Sequence, residues 1–195
     1  MARKVTWSAL LMLAGSALVA VVVLSHLAAL RFLLAIVLLL AVIALRVPHA
    51  YEAAFSLVVV GAMWCDVGEI YRRVAELDAL VHFLLTATGS VVAFFALLRI
   101  GGPPLWDAAA EARWWVIVVL VGMAGTVGAV LWEMYEWVVE RIAPGSMRVG
   151  YTDTLADVAV GMVGALLAGL VFSLVSRDTL AGGAGARASE ERRPS

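Results

Sequence analysis

Cysteine, histidine and charge are all scarce in this chain. A single cysteine, Cys65, in 195 residues excludes a disulfide framework and any zinc site built from several thiolates. Charged residues make up 15% of the chain and nearly cancel to a net charge of −1, which leaves no basic patch for nucleic acid. There is no His-rich or Arg-rich pattern of the kind expected in membrane phosphatases, and no Ser or Cys nucleophile beside a base. What fills the space is apolar. Hydrophobic residues reach 64% and mean hydropathy is +0.99, more apolar surface than a soluble domain of this length can bury. The composition predicts an all-α, polytopic membrane bundle.

Runs of about 20 apolar residues predict six transmembrane helices, at 7–24, 27–45, 50–65, 80–98, 114–132 and 155–175. They form a single transmembrane domain over 1–176, followed by a disordered cytoplasmic tail over 177–195 that has almost nothing apolar to bury. The first run is long, lacks a clear small-x-small cleavage site and reads as a retained span rather than a signal peptide. The third is short and carries Glu52 near its start, so a half-buried helix or a re-entrant segment is its alternative. Gly101, Gly102, Pro103 and Pro104 break the chain between helices four and five, and Pro144 with Gly145 between five and six.

With the amino terminus inside, nine cations fall on the inner side (Arg3, Lys4, Arg46, Arg99, Arg113, Arg177, Arg187, Arg192, Arg193). Five fall outside (Arg31, Arg72, Arg73, Arg141, Arg148). The positive-inside rule therefore places both termini in the cytoplasm. Interfacial belts are expected from Trp7, Trp106, Trp114 and Trp115 inside and from Trp64, Tyr71, Trp132, Tyr135, Trp137 and Tyr151 outside.

Depth along the helices locates the acids. Counting about 20 residues from each inner Arg reaches the outer edge of the hydrocarbon. From Arg46 the count lands at Asp66, from Arg99 between Asp78 and His82, from Arg113 at Glu133 and from Arg177 at Asp157. Nine of the 15 acids gather at this level. Asp78 and His82, Glu133 and Glu136, Glu136 and Glu140, and Asp153 and Asp157 are three or four residues apart, so each pair shares a helix face. The stripe Gly161, Ala165, Gly169 on helix six and the glycines Gly122, Gly125 and Gly128 on helix five offer surfaces for close packing, which would bring Glu133, Glu136, Asp153 and Asp157 together.

Ionisable groups at this depth are costly and usually face a cavity or partner. Asp78 and Asp153 also suit helix amino termini, where a carboxylate caps free amides, and with Glu140 they can be read as solvated helix ends. Glu133 and Glu136 sit at an expected carboxyl-terminal end, where the helix dipole disfavours an anion, so they need a cation: a metal, or one of Arg72, Arg73, Arg141 and Arg148. His82 is either a packing residue or, oriented by Asp78, a metal ligand or general base. Cys65, His26 and His49 are expected to be structural.

The run Asp78, His82, Phe83, then Glu133, Glu136, Trp137, then Asp153, Thr154, Asp157 leading into Gly161 and Gly164 resembles the YjdF-like inner-membrane proteins of bacteria over roughly residues 76–172. More distantly, the layout is similar to VanZ-like membrane proteins. The family usually carries a Gly-Thr-Gln-Gly-Asp type loop before the last helix, where this chain has only Arg148, Val149, Gly150, Tyr151 and Thr152. The resemblance implies a six-helix inner-membrane fold and carries no activity with it.

Three functions remain open on the residues. In the first, Glu133, Glu136, Asp157 and Asp153 with His82 hold a divalent cation, and Asp78 and His82 serve the chemistry on a lipid or small polar substrate at the outer leaflet. Such an oxygen-rich set suits Mg²⁺, Mn²⁺, Ca²⁺ or iron. The second is a cation- or proton-coupled transporter, although no Gly/Pro-broken span offers a midplane site. The third is a non-catalytic assembly or stability factor. Convergence of the carboxylates on one point, and a cavity opening at one end only, would separate the first from the others.

Overall fold

The computed structural model describes residues 1–74, 76–147, 149–175 and 178–180. Six helices long and apolar enough to cross a membrane follow one another, and every regular element among the described residues is helical. Helix α1 (Ala2–Val19) runs on through a π-helical turn at Ala20–Leu24. Ser25 is extended (φ −160°) and ends it, and the Ser25 hydroxyl accepts from the Ala28 amide at 3.0 Å to cap α2 (His26–Ala44). Pro48, with its fixed φ, leads into α3 (His49–Val67), which at 19 residues is long enough to span rather than to re-enter.

Helix α4 (Glu76–Glu111) holds a kink. Gly102 sits at φ +68° and ψ −162°, a conformation that strains any residue with a Cβ, and Pro103 and Pro104 restart the helix. The expected break is therefore a bend between two helical stretches. Helix α5 (Trp114–Ile142) runs ten residues past its expected end at 132, because Glu133 to Arg141 continue the helical turns into the interface. Helix α6 (Tyr151–Val175) starts four residues before its expected start at 155.

Two three-helix groups result: α1, α2 and α3 pack together, as do α4, α5 and α6, and the groups join through α3 and α4. The second group is the tighter, and small residues are the cause. A Cβ on Gly164 would lie 2.5 Å from the carbonyl oxygen of Phe83, and one on Gly125 would run into Ala165 and Ser90. Only glycine permits such an approach of α5 and α6 to α4. Gly128 is different. A Cβ there would meet nothing within 4 Å, so it takes no part in the expected packing face.

At the end away from the acids, Phe95 and Phe172 stack edge to face at 5.6 Å, with Phe94, Tyr51 and Trp106 around them. Trp106 is 3% exposed and not part of an interfacial belt; its Nε1–H donates to the Leu180 carbonyl at 2.9 Å, and Arg99 lies over its ring. Leu180 is itself fully buried, so the stretch expected as a tail contains a packed residue, after the exposed Asp178 and Thr179. Residues 181–195 lie outside the described part of the chain. His49 is half exposed, with Nδ1 3.6 Å from the carboxylate of Glu52, which is buried at this same end.

Candidate functional site

The α4–α5–α6 group carries the acidic residues at one end. His82, one turn into α4 from Asp78, is 6% exposed and points between carboxylates: its Nδ1 is 3.6 Å from Glu133 Oε1 and its Nε2 3.7 Å from Asp78 Oδ1. Both distances exceed a hydrogen bond, so Asp78 and Glu133 flank the imidazole without gripping it. Glu136, one turn along α5 from Glu133, accepts from the Trp132 indole Nε1–H at 2.8 Å.

The donor atoms fall into two groups, each with all its atoms within 4.8 Å of one another: His82, Glu133 and Glu136 in one, Asp78, Asp153 and Asp157 in the other. Two oxygens on opposite sides of a cation bound at about 2.0–2.6 Å are about 4–5 Å apart, so either group has the dimensions of a coordination shell. Asp157 thus lies with the other aspartates rather than with the glutamates, as α6 turns its acidic face toward the start of α4. Two carboxylates 4.8 Å apart repel by about 3.5 kcal/mol at an effective dielectric of about 20.

Of the cations expected to relieve that repulsion, Arg73 and Arg141 are described, and neither makes a salt bridge there. Arg141 stacks over Trp137 at 5.0 Å, and Arg73 is exposed. Arg148 and the side chain of Arg72 lie outside what the structure describes. No Lys or Arg among the described residues makes a salt bridge with Glu133, Glu136 or Asp157. The residue that the depth count missed is Arg31. It reaches from α2 to Asp66 of α3 and donates to both carboxylate oxygens, at 2.9 and 2.8 Å, which removes Asp66 from the candidate set. Glu140 is also accounted for: it accepts from the Gly145 and Met147 amides at 2.7 and 2.9 Å and so holds the turn after α5.

Glu133 and Glu136 have lost their expected conflict with the helix dipole. Because α5 continues to Ile142, Glu133 is more than two turns from the end, beyond the last turn in which the dipole acts. What remains is a burial cost. Glu133 is 7% exposed and its Oε1, the atom facing His82, makes no hydrogen bond. A buried carboxylate oxygen with nothing to accept from is costly unless something binds it.

Beside the site lies a cavity of about 1090 Å³ bounded by α2, α3, α4 and α5. Arg31, Asp66, Tyr71, Asp78, His82 and Glu136 line its polar end, while Leu34, Leu38, Phe55, Leu85, Ala93 and Ala124 line the rest. Tyr71 donates to the Ala62 carbonyl at 3.3 Å. Burial, then the negative charges nearby, push its phenol above the ordinary range, so it stays a neutral donor.

Six helices of membrane-spanning length, three of which bring acids and an imidazole together at one end, define a polytopic membrane protein with a polar site at one end of the bundle. The chain belongs to the predicted membrane protein family DUF2238, whose model matches residues 2–178. This is the family to which the YjdF-like resemblance pointed. No curated protein and no solved structure matches the chain.

Proposed function

We propose that the chain is a divalent-cation-dependent enzyme of the bacterial inner membrane, working at the outer leaflet on a lipid or small polar substrate. The observation that carries this reading is the buried Oε1 of Glu133, unpartnered and facing His82 with Glu136 one turn away. An ion between these three side chains would satisfy that oxygen and offset the repulsion among the carboxylates. Their hard oxygens with one imidazole suit Mg²⁺, Mn²⁺, Ca²⁺ or iron.

Glu133, Glu136 and His82 would hold the ion, and Asp78, 3.7 Å from Nε2 on the far side of the imidazole, would favour the ring orientation that turns Nδ1 to the ion. Asp153 and Asp157 add an oxygen-rich flank that can receive a proton or position water. Held there, such an ion would supply Lewis acidity toward a substrate oxygen and a nucleophile from water, where the side chains offer none. A transport pathway has less support, because the cavity lining stops at Leu38, Phe55 and Ala93, short of Glu52 and Arg99 near the other end.

Elemental analysis of purified protein, with thermal unfolding in Mn²⁺, tests the reading. The wild type should retain metal after gentle purification and gain thermal stability from Mn²⁺, and Glu133→Gln and Glu136→Gln should lose part or all of both. Wild type that holds no stoichiometric metal and is indifferent to Mn²⁺ would overturn it.

A further inference from the structure

We infer that the cleft between α2 and α5 is a binding site for one hydrocarbon chain of a phospholipid, which enters sideways from the bilayer with its headgroup at the acidic end. The inference names a substrate class for the site above and rests on the cation reading for the headgroup alone.

The shape is the first argument. Helices α2, α3, α4 and α5 bound the cavity in order, and α2 packs mainly on α1 and α3 and α5 on α4 and α6, so the side between α2 and α5 is the least packed wall. Gly128 stands exposed at that side and lines the cavity, and a Cβ there would touch nothing. That side faces lipid, since both helices are long and apolar enough to span.

Depth and polarity are the second. From Asp78 to Ala93, the limits of the lining on α4, the helix rises about 22 Å, somewhat more than the roughly 15 Å of one hydrocarbon leaflet. The cavity is charged at the end where headgroups lie and apolar along the depth of one leaflet. A phospholipid has that profile. At about 1090 Å³ it also exceeds slightly the range of about 300–1,000 Å³ usual for small-molecule pockets.

The third argument concerns water. Leu34, Leu85, Ala93 and Ala124 offer it no partners, and at their depth the lining adds the hydroxyls of Thr86 and Ser90, the latter already donating to the Ala87 carbonyl, whereas water needs several partners to stay in a cavity. A lipid chain moves from one apolar setting to another at little cost, so the polar end does the selecting. There a phosphate would face the cation site, with Arg31 and Tyr71 in the same wall.

Photo-crosslinking tests the inference. The full chain is reconstituted in phosphatidylcholine vesicles containing phosphatidylglycerol with a diazirine midway along one chain, and adducts are mapped by peptide mass spectrometry. Leu85 and Ala93, half-buried inside the cleft, should be labelled along with the lipid-facing Leu167 and Val171. Gly128→Trp, and separately Ala124→Trp, should cut labelling of Leu85 and Ala93 by about tenfold, since an indole fills the space the chain would occupy. Leu167 and Val171 report in the same sample that the protein is folded and inserted, and Gly128→Ala should label as wild type. Labelling confined to Leu167 and Val171, or interior labelling indifferent to both tryptophans, overturns the inference. Interior labelling in a protein that binds no Mn²⁺ would uphold the chain site and overturn the cation reading, so the two fail separately.

Discussion

His82 of α4 and Glu133 of α5 face each other at 3.6 Å, Nδ1 to Oε1, with 6% and 7% of their surfaces exposed. They meet because the glycines of α5 and α6 let the three helices close around them. If a divalent cation bridges them, both are ligands and their loss should be severe. His82→Ala and Glu133→Gln are each expected to weaken Mn²⁺ affinity by about 100-fold or more, while Asp78→Asn, acting through the imidazole, should cost about 10–100-fold. Isothermal titration of Mn²⁺ into the three variants gives the order directly.

Proton competition follows from the same geometry. Imidazole and carboxylate bind metal only when deprotonated, so acid must release the ion. For each proton displaced on binding, apparent affinity should fall about tenfold per pH unit once the pH is below that ligand's pKa. Titrations between neutral and mildly acidic pH should show monotonic weakening. Affinity that does not change over this range would contradict an imidazole ligand.

How much of this was legible in the sequence differs by feature. Helical rise is constant, so counting from Arg46, Arg99 and Arg113 placed Asp66, His82 and Glu133 at one end. Rotation of each helix about its axis was not legible, because packing sets it, and so Asp157 joined Asp78 and Asp153 instead of the glutamates. Arg31 and Asp66 are 35 residues apart, a pairing with no local signature. Trp106 looked interfacial and is buried because the bend at Gly102 turns the second half of α4 back onto the bundle, against Leu180.

The Arg31–Asp66 pair should be structural. Its side chains are 12% and 19% exposed, so removing one partner strands a largely buried charge. Arg31→Met is expected to destabilise the protein by about 2–3 kcal/mol, and Arg31→Met with Asp66→Leu should recover most of that loss. Thermal unfolding of the single and double variants measures the recovery. Mn²⁺ binding should survive in any variant that folds.

Glycine positions divide into two kinds. Gly164→Ala places a methyl against the Phe83 backbone and should cost about 1–3 kcal/mol by overpacking, with weaker Mn²⁺ binding as α4 and α6 separate. Gly128→Ala meets open space and should be neutral or stabilising. Equal thermal stability for the two would contradict the close approach described for α6 on α4.

The most direct measurement is pulsed electron paramagnetic resonance of Mn²⁺ bound to the reconstituted protein. A nitrogen on the ion modulates the echo, and among the described residues His82 is the imidazole grouped with the acids. The account predicts a directly coordinated nitrogen in the wild type that is lost in His82→Gln, with weaker residual binding. Bound Mn²⁺ with an all-oxygen environment, unchanged by His82→Gln, would contradict it.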